Sequence, residues 1–239
     1  NEMLARLERS FQRLTEFSSD LAHELRTPVS NLLTQTQVTL TKARSADEYR
    51  EVLASNTEEL ERLSRMVSDM LFLAQADHAM TIPTREPIDL ASETQAVLDF
   101  YEALASEKHL ALSLAGTGSM SGNRLMLRRA LSNLLSNAIR HTPEGGAIKV
   151  VLSSAEHAVQ ISVSNTGAPI PAELHARLFD RFYRVDASRE RMGQGAGLGL
   201  AITDSIVRAH GGEIKLFSEG DMTKFTLIFP QLDKALAAS

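Results

Sequence analysis

Three things are missing from this 239-residue chain, and each absence removes a class of chemistry. There is no cysteine, so disulfides, thiolate metal sites and cysteine nucleophiles are excluded. No apolar run approaches the roughly 18 residues that cross a bilayer, and no signal peptide opens the sequence. There is no excess of positive charge either: 25 Lys and Arg against 30 Asp and Glu give a formal charge of -5 and a pI near 5.8, which argues against a nucleic-acid partner. The first residue is Asn1, already inside a predicted helix, rather than a methionine, which suggests a piece of a longer protein. What remains is 43% hydrophobic, enough for one compact domain and one elongated helical one.

The helical part comes first. Leu4, Leu7, Phe11, Leu14, Leu21, Leu25 and Leu32 recur at three-four spacing, with Ser18 and Pro28 in the remaining slots, which predicts one amphipathic helix over residues 1 to about 44. Ser45-Ala46-Asp47-Glu48 has the form of a capping box, so a turn near 43–46 opens a second helix. Along it Tyr49, Leu53, Asn56, Leu60, Leu63, Val67, Met70 and Ala74 keep the same spacing. Two helices with one narrow seam cannot build an adequate core, so a second copy is expected to complete a four-helix bundle. Asn56 in the seam either sets its register or is simply tolerated near the bundle end.

His23 lies off that seam, within Phe17-Ser18-Ser19-Asp20-Leu21-Ala22-His23-Glu24-Leu25-Arg26-Thr27-Pro28, and is expected to face water. Thr27 projects from the same side one turn on, and Glu24 is close enough to act on the ring or on a proton leaving it. Pro28 has no N–H for the carbonyl of Glu24, so the helix is expected to kink or loosen just below the histidine. A histidine followed by glutamate is ordinarily a solvated helix face; the whole run is far more specific.

Residues 75–88, with Pro83 and Pro87 and little periodicity, read as a linker. Beyond it the pattern becomes mixed: a helix over 90–107, a strand over 109–115 and a helix over about 122–140. After Pro143-Glu144-Gly145-Gly146 come a strand pair over 147–153 and 158–164, a glycine-bearing loop, a helix near 198–210, and strands over 212–218 and 223–229. Strands with helices able to cover one face imply an α+β sandwich. On the second of these helices Asn133, Asn137 and then Arg140 or His141 fall along one side, while Leu127, Leu131, Leu134 and Ala138 largely occupy another. An amide oxygen suits an octahedral Mg2+ completed by phosphate oxygens and water, and a nearby cation suits the phosphates. Gly193, Gly195, Gly197 and Gly199 stand directly before an apolar helix, an arrangement that can set backbone N–H groups against phosphate. No Gly-Lys-Ser/Thr follows, so this is not a Walker motif, and no strand precedes it as a dinucleotide fold requires.

His23-Glu24-Leu25-Arg26-Thr27-Pro28 resembles the phosphoacceptor box of sensor histidine kinases. The asparagine helix, Ser164-Asn165-Thr166-Gly167-Ala168-Pro169-Ile170-Pro171, Leu178-Phe179-Asp180-Arg181-Phe182-Tyr183-Arg184 and the glycine loop, in that order, resemble the N, G1, F and G2 boxes of the ATP-binding domain that those kinases share with gyrase, Hsp90 and MutL-type ATPases. Arg128-Arg129-Ala130-Leu131-Ser132-Asn133 and Phe182-Tyr183-Arg184-Val185-Asp186 are similar to the heavy-metal-sensing branch. The resemblance implies an α helical-hairpin dimerisation domain over 1–79, forming a four-helix bundle as a homodimer. A linker over 80–88, an α+β ATP-binding sandwich of the gyrase/Hsp90/histidine-kinase type over 89–232 and a tail over 233–239 would follow. It also implies ATP and Mg2+ as cofactors, autophosphorylation of His23, and transfer to an aspartate of a response-regulator receiver domain docking near Asn31, Leu32 and Gln35. The chain would then be the cytoplasmic portion of a bacterial inner-membrane sensor, with no membrane contact of its own.

The same resemblance assigns roles by position. Glu24 would accept or orient the second ring proton of His23, and Thr27 would orient a water for dephosphorylation of the regulator. Arg26 and Pro28 look structural or conformational. Asn137 would be the principal Mg2+ ligand, Asn133 a second polar contact to metal or phosphate, and Arg140, beside His141, a phosphate contact. Arg184 would reach the terminal phosphates, and the backbone around Gly195, Gly197, Leu198 and Gly199 would close over them. Asn165, ahead of Gly167, stands where the family has an aspartate that accepts from the adenine amino group; its oxygen can still accept, but it is neutral. Pro169 and Met222 replace expected glycines. Two other readings are an ATPase of the same nucleotide fold without a phosphoenzyme, and a dimerising scaffold with an inactive nucleotide domain.

Overall fold

Helix α1 (Glu2–Leu40) and helix α2 (Ala46–Asp77) form the first half of the chain in a computed structural model that describes residues 2–77, 82, 84–155, 157–185 and 197–231. The turn between them falls at 41–45, slightly ahead of the expected 43–46. It ends in the reciprocal bond pattern the sequence promised: the Ser45 N–H donates to Glu48 Oε2 at 2.7 Å, and the Glu48 N–H donates to Ser45 Oγ at 3.2 Å. Those bonds, the backbone one first, hold the Glu48 carboxyl below the usual carboxylate range. Helix α1 runs through Pro28 without a break, and Pro28 itself is buried.

The chain divides into two compact units, one holding the helices up to Met70 and the other everything described from Leu71 on. In the first unit Asn56 Nδ2 donates across to Thr36 Oγ1 at 3.2 Å, tying α2 to α1. Leu53, Leu60 and Val67, seven residues apart, stay 64%, 57% and 43% exposed, and Val29 and Leu33 on α1 are also exposed. Burying one such side chain is worth about 1.5–3 kcal/mol. A single copy of the hairpin therefore leaves a stripe of stabilisation unused.

After the last turns of α2, the second unit continues with strand β1 (Glu86–Asp89), which lies inside the stretch expected to be a linker. It pairs antiparallel with β3 (Ser119–Gly122), setting the buried Ile88 opposite the buried Met120. Both strands are four residues long with one inward apolar side chain each, too little for a period to be visible. Helix α3 (Leu90–Glu107) starts where Asp89 Oδ1 accepts from the Ala91 N–H at 3.0 Å. Strand β2 (Ala111–Ala115) follows it, two residues later than expected because His109 takes a left-handed turn, φ 53°. Helix α4 (Arg124–His141) is capped by Asn123, whose Oδ1 accepts from the Met126 N–H at 3.0 Å.

Strands β4 (Ala147–Ser154), β5 (Ala158–Thr166), β6 (Glu213–Glu219) and β7 (Met222–Pro230) complete a five-stranded sheet of order β2-β4-β5-β7-β6. The β2–β4 pair is parallel and the others antiparallel. Strict alternation puts Val159, Ile161 and Val163 of β5 and Phe225, Leu227 and Phe229 of β7 inward. There they meet Leu131, Leu134 and Leu135 of α4 and Ile202, Ile206 and Val207 of helix α5 (Gly199–Ala209). The other face is polar, as in the Ser162 to Thr226 hydroxyl pair at 3.0 Å. Between β5 and α5 lies a 3-10 turn, Ala172–Arg177, that the sequence did not signal. The second unit is thus the expected α+β sandwich, with α3, α4 and α5 supplying the helices.

Candidate functional site

His23 is exposed on α1, as its place off the seam requires, and forms no hydrogen bond with any described residue. Glu24 beside it is half-buried and Thr27, one turn on, is exposed. Neither ring nitrogen is engaged by a described residue, so the imidazole stands open to solvent.

The second constellation is assembled around the start of α5. Asn133 of α4 donates from Nδ2 to the Gly199 carbonyl at 3.0 Å, and the buried Thr203 donates from Oγ1 to the same oxygen at 2.9 Å. Oδ1 and the second Nδ2 hydrogen of Asn133 are left for a ligand. Asn137, one turn further along the same side, is half-buried and makes no hydrogen bond with a described residue. Arg140 comes next. Desolvation first, then the positive charge of Arg184, hold its guanidinium below the ordinary value, while Tyr101 acts in the opposite sense. Two like charges that act on each other are each favoured by an anion nearby.

Arg184 is brought there by its own segment. Phe182, two residues earlier, adopts φ 60°, uncommon for a bulky residue, and its N–H donates to the Gly197 carbonyl at 3.1 Å. Gly197 has φ 73°, and a Cβ on it would stand 2.9–3.1 Å from backbone atoms of Phe182. Glycine is required at this crossing by conformation and by space. Leu198 is buried, and α5 opens without a side-chain cap, so its first-turn N–H groups are not taken by a side chain. Asn133 thus ties α4 to Gly199, Gly197 ties the approach to α5 to Phe182, and the charge of Arg184 acts on Arg140.

Asn165, on β5, is buried, and its Nδ2 donates to the Thr166 carbonyl at 3.1 Å, which leaves Oδ1 as its open acceptor. Gly167 packs on the end of α4: a Cβ there would lie 2.9 Å from the His141 carbonyl oxygen. His141 is itself exposed. Lys108 fixes the same helix end by donating to the carbonyls of Ile139 at 2.9 Å and Arg140 at 3.3 Å. Gly195 lies outside the described residues. Thr203 and Lys108 were not picked out from the sequence, and Phe182 stood in a quoted motif without a role of its own. Thr203, four residues after Gly199 on a helix, could have been found by its spacing; Lys108 carries no local signal, and the motif around Phe182 does not announce its left-handed turn.

Among the described residues no three His, Cys, Asp or Glu side chains stand close enough to hold a metal ion. The donor set instead suits a hard divalent cation that brings most of its oxygens with it, on ligand phosphates and water, and needs one neutral amide oxygen from the protein. Asn137, with its amide uncommitted, fits that requirement.

Comparison with known proteins finds two family matches, one over each part of the chain. Residues 122–233 match the family described as histidine kinase-, DNA gyrase B- and HSP90-like ATPases. Residues 13–79 match the His kinase A (phospho-acceptor) domain. The sensor histidine kinase CusS of Escherichia coli is 51% identical over 231 residues, 96% of this chain and 48% of that protein. The probable sensor protein PcoS of Escherichia coli is 49% identical, over 92% of this chain and 47% of the relative. The chain thus spans about half the length of the curated relatives it matches. Among solved structures, full-length ShkA in complex with AMPPNP is similar with a TM-score of 0.68 and 26% identity, covering 90% of this chain and 45% of that one.

Proposed function

This chain belongs to the sensor histidine kinases, and on that premise we propose that it phosphorylates its own His23 from ATP and passes the phosphoryl group to an aspartate of a response-regulator receiver domain. The observation that supports the reading is the bond from Asn133 to Gly199, which sets the polar row of α4 against the uncapped start of α5 within a domain matching the ATPase family.

His23 contributes an unencumbered ring nitrogen. In the transfer that nitrogen forms a bond to the γ-phosphorus as the bond from phosphorus to the bridging oxygen breaks, and ADP leaves with the electron pair. Glu24 takes or orients the proton on the other ring nitrogen, which keeps the attacking nitrogen nucleophilic. Arg140 and Arg184 bind the phosphates, the first-turn N–H groups at Leu198 and Gly199 add dipole stabilisation, and Asn165 Oδ1 accepts from the adenine amine. Asn137 would hold Mg2+ through its side-chain oxygen; when bound, the ion neutralises phosphate charge. Thr27 orients water for removing phosphate from the regulator.

The exposed stripe of Leu53, Leu60 and Val67 supports a homodimer closed through the hairpin. The receiver domain docks below His23, near Asn31, Leu32 and Gln35. No helix among the described residues is long and apolar enough to cross a membrane. We assign the chain to the cytoplasmic side of an inner-membrane sensor of the heavy-metal-sensing branch. The domain limits proposed are 1–79 for the phosphoacceptor domain and 86–232 for the ATP-binding domain, the strand at Glu86 shortening the linker.

The test is incubation with γ-labelled ATP, followed by acid treatment and addition of a candidate regulator. Acid-labile label in the wild type, absent in His23→Gln, is expected. Label that survives the substitution removes His23 from the reaction, and ATP hydrolysis without label favours an ATPase lacking a phosphoenzyme.

A further inference from the structure

The five-stranded sheet has two edges, and they are built differently. Edge strand β6 is guarded by charge: Glu213 and Lys215 pair at 2.7 Å, Glu219 closes the strand, and Lys224 lies over the ring of Phe217. Such charges discourage another strand from adding. Strand β2, at the opposite edge, reads Ala111-Leu112-Ser113-Leu114-Ala115, with neither charge nor proline. Among the described residues its only strand partner is β4.

The backbone of β2 is open in a definite register. The Ala111 N–H donates inward to the Gly146 carbonyl at 2.9 Å, ahead of the parallel ladder. By alternation, Leu112 and Leu114 turn their N–H and C=O groups toward the free side. Along that side runs a groove of about 160 Å³ between β2 and α3, whose walls include Leu98, Asp99 and Glu102 from the helix and Leu112 and Leu114 from the strand. Its apolar floor carries an acidic rim. Asp99 accepts from Gln95 Nε2 at 2.7 Å, and Glu102 makes no ion pair with a described residue.

We propose that the β2 edge is a docking site for an extended basic peptide segment, which joins the sheet as a sixth strand. Its backbone pairs with Leu112 and Leu114. Its alternate lysines or arginines lay their aliphatic stems on Leu98, Leu112 and Leu114 and carry their charges to Asp99 and Glu102. Charge selects this occupant over a second copy of the chain, because edge-to-edge pairing of two β2 strands would bring two acidic rims together. The proposal uses neither Asn137 nor the contacts at Gly197 and Gly199, so it is independent of the reading of the nucleotide site.

The experiment titrates the whole chain with a synthetic heptapeptide alternating threonine and lysine, following amide hydrogen exchange residue by residue. The Leu112 and Leu114 amides should slow by at least about tenfold, while Ser113, already in the β4 ladder, should not change. The matching threonine and glutamate peptide should have no effect. In Asp99→Lys/Glu102→Lys, two exposed positions whose change leaves the core intact, binding of the lysine peptide should weaken by at least about tenfold. The proposal is overturned if Leu112 and Leu114 exchange at the same rate with and without the lysine peptide. It is equally overturned if the glutamate peptide protects them as well, or if they become protected with rising chain concentration alone, the mark of a second copy.

Discussion

Asn133 and Gly199 are joined by a 3.0 Å bond from a side-chain amide to a backbone carbonyl, which fixes the middle of α4 against the first residue of α5. The same carbonyl keeps a second donor in Thr203. Asn133 therefore positions the helix start as much as it can touch a ligand. Asn133→Ala should lower stability by only about 0.5–1.5 kcal/mol, the ordinary worth of one such bond. Asn133→Asp, which sets a carboxylate against the carbonyl, should cost more. Urea denaturation measures both, and the KM for ATP should rise further in the aspartate variant than in the alanine one.

Arg184→Ala should weaken nucleotide binding by about tenfold or more, since a hydrogen bond to a charged group is worth about 1.5–3 kcal/mol. Removing Arg184 also relieves the repulsion that lowers the Arg140 guanidinium. Arg140 and Arg184 should accordingly couple in a double-mutant cycle, with a combined loss different from the sum of the single ones. Calorimetric titration with a non-hydrolysable ATP analogue at two salt concentrations provides the measurement.

His210 supplies a pH dependence unrelated to catalysis. It is buried, its Nδ1 lies 2.8 Å from the Ile206 carbonyl, and its Nε2 accepts from the Asn123 N–H at 3.0 Å. Burial, the largest influence, and the charge of Arg85 push the ring below its ordinary value of 6.5, against the raising effect of the Ile206 bond. Below pH 6.5 the unfolded chain thus takes up a proton before the folded chain does. Stability from this group should be complete above that pH and fall as the medium becomes more acid. Urea midpoints measured across pH 5 to 8 should show the decline, and His210→Gln, which cannot titrate, should make it shallower.

Much of this architecture was legible in the chain, and where it was not the reason is physical. Helices α3 and α4 were placed closely because Leu90 to Glu107 and Arg124 to His141 run through several periods each. Strands β1 and β3 were not, since Ile88 and Met120 are single inward residues in four-residue strands. The polar row on α4 could be seen, yet spacing says nothing of what a row faces, so the bond from Asn133 to Gly199 was invisible. Nor does any local pattern announce that Phe182 turns left-handed to meet Gly197, because that meeting joins residues fifteen apart in sequence.

Asn56 makes the hairpin less stable than it could be. Its Nδ2 reaches Thr36, but its Oδ1 is buried without a hydrogen-bond partner. Asn56→Leu removes that cost and should raise hairpin stability by about 1 kcal/mol or more. Thermal melts at fixed chain concentration measure this, and crosslinking between chains should show a less uniform register in the same variant.

The bond from the Asn123 N–H to His210 lies at the opposite end of α5 from the Gly199 contact, so the two helices are joined at two places. Ten residues of α4 separate Asn123 from Asn133, and eleven separate Gly199 from His210, spans of about 15 and 16.5 Å at 1.5 Å per residue. Matched lengths pinned at both ends resist shear. Sliding of one helix past the other would break both bonds, so movement of the pair is expected to be taken up by the backbone leading into and out of it.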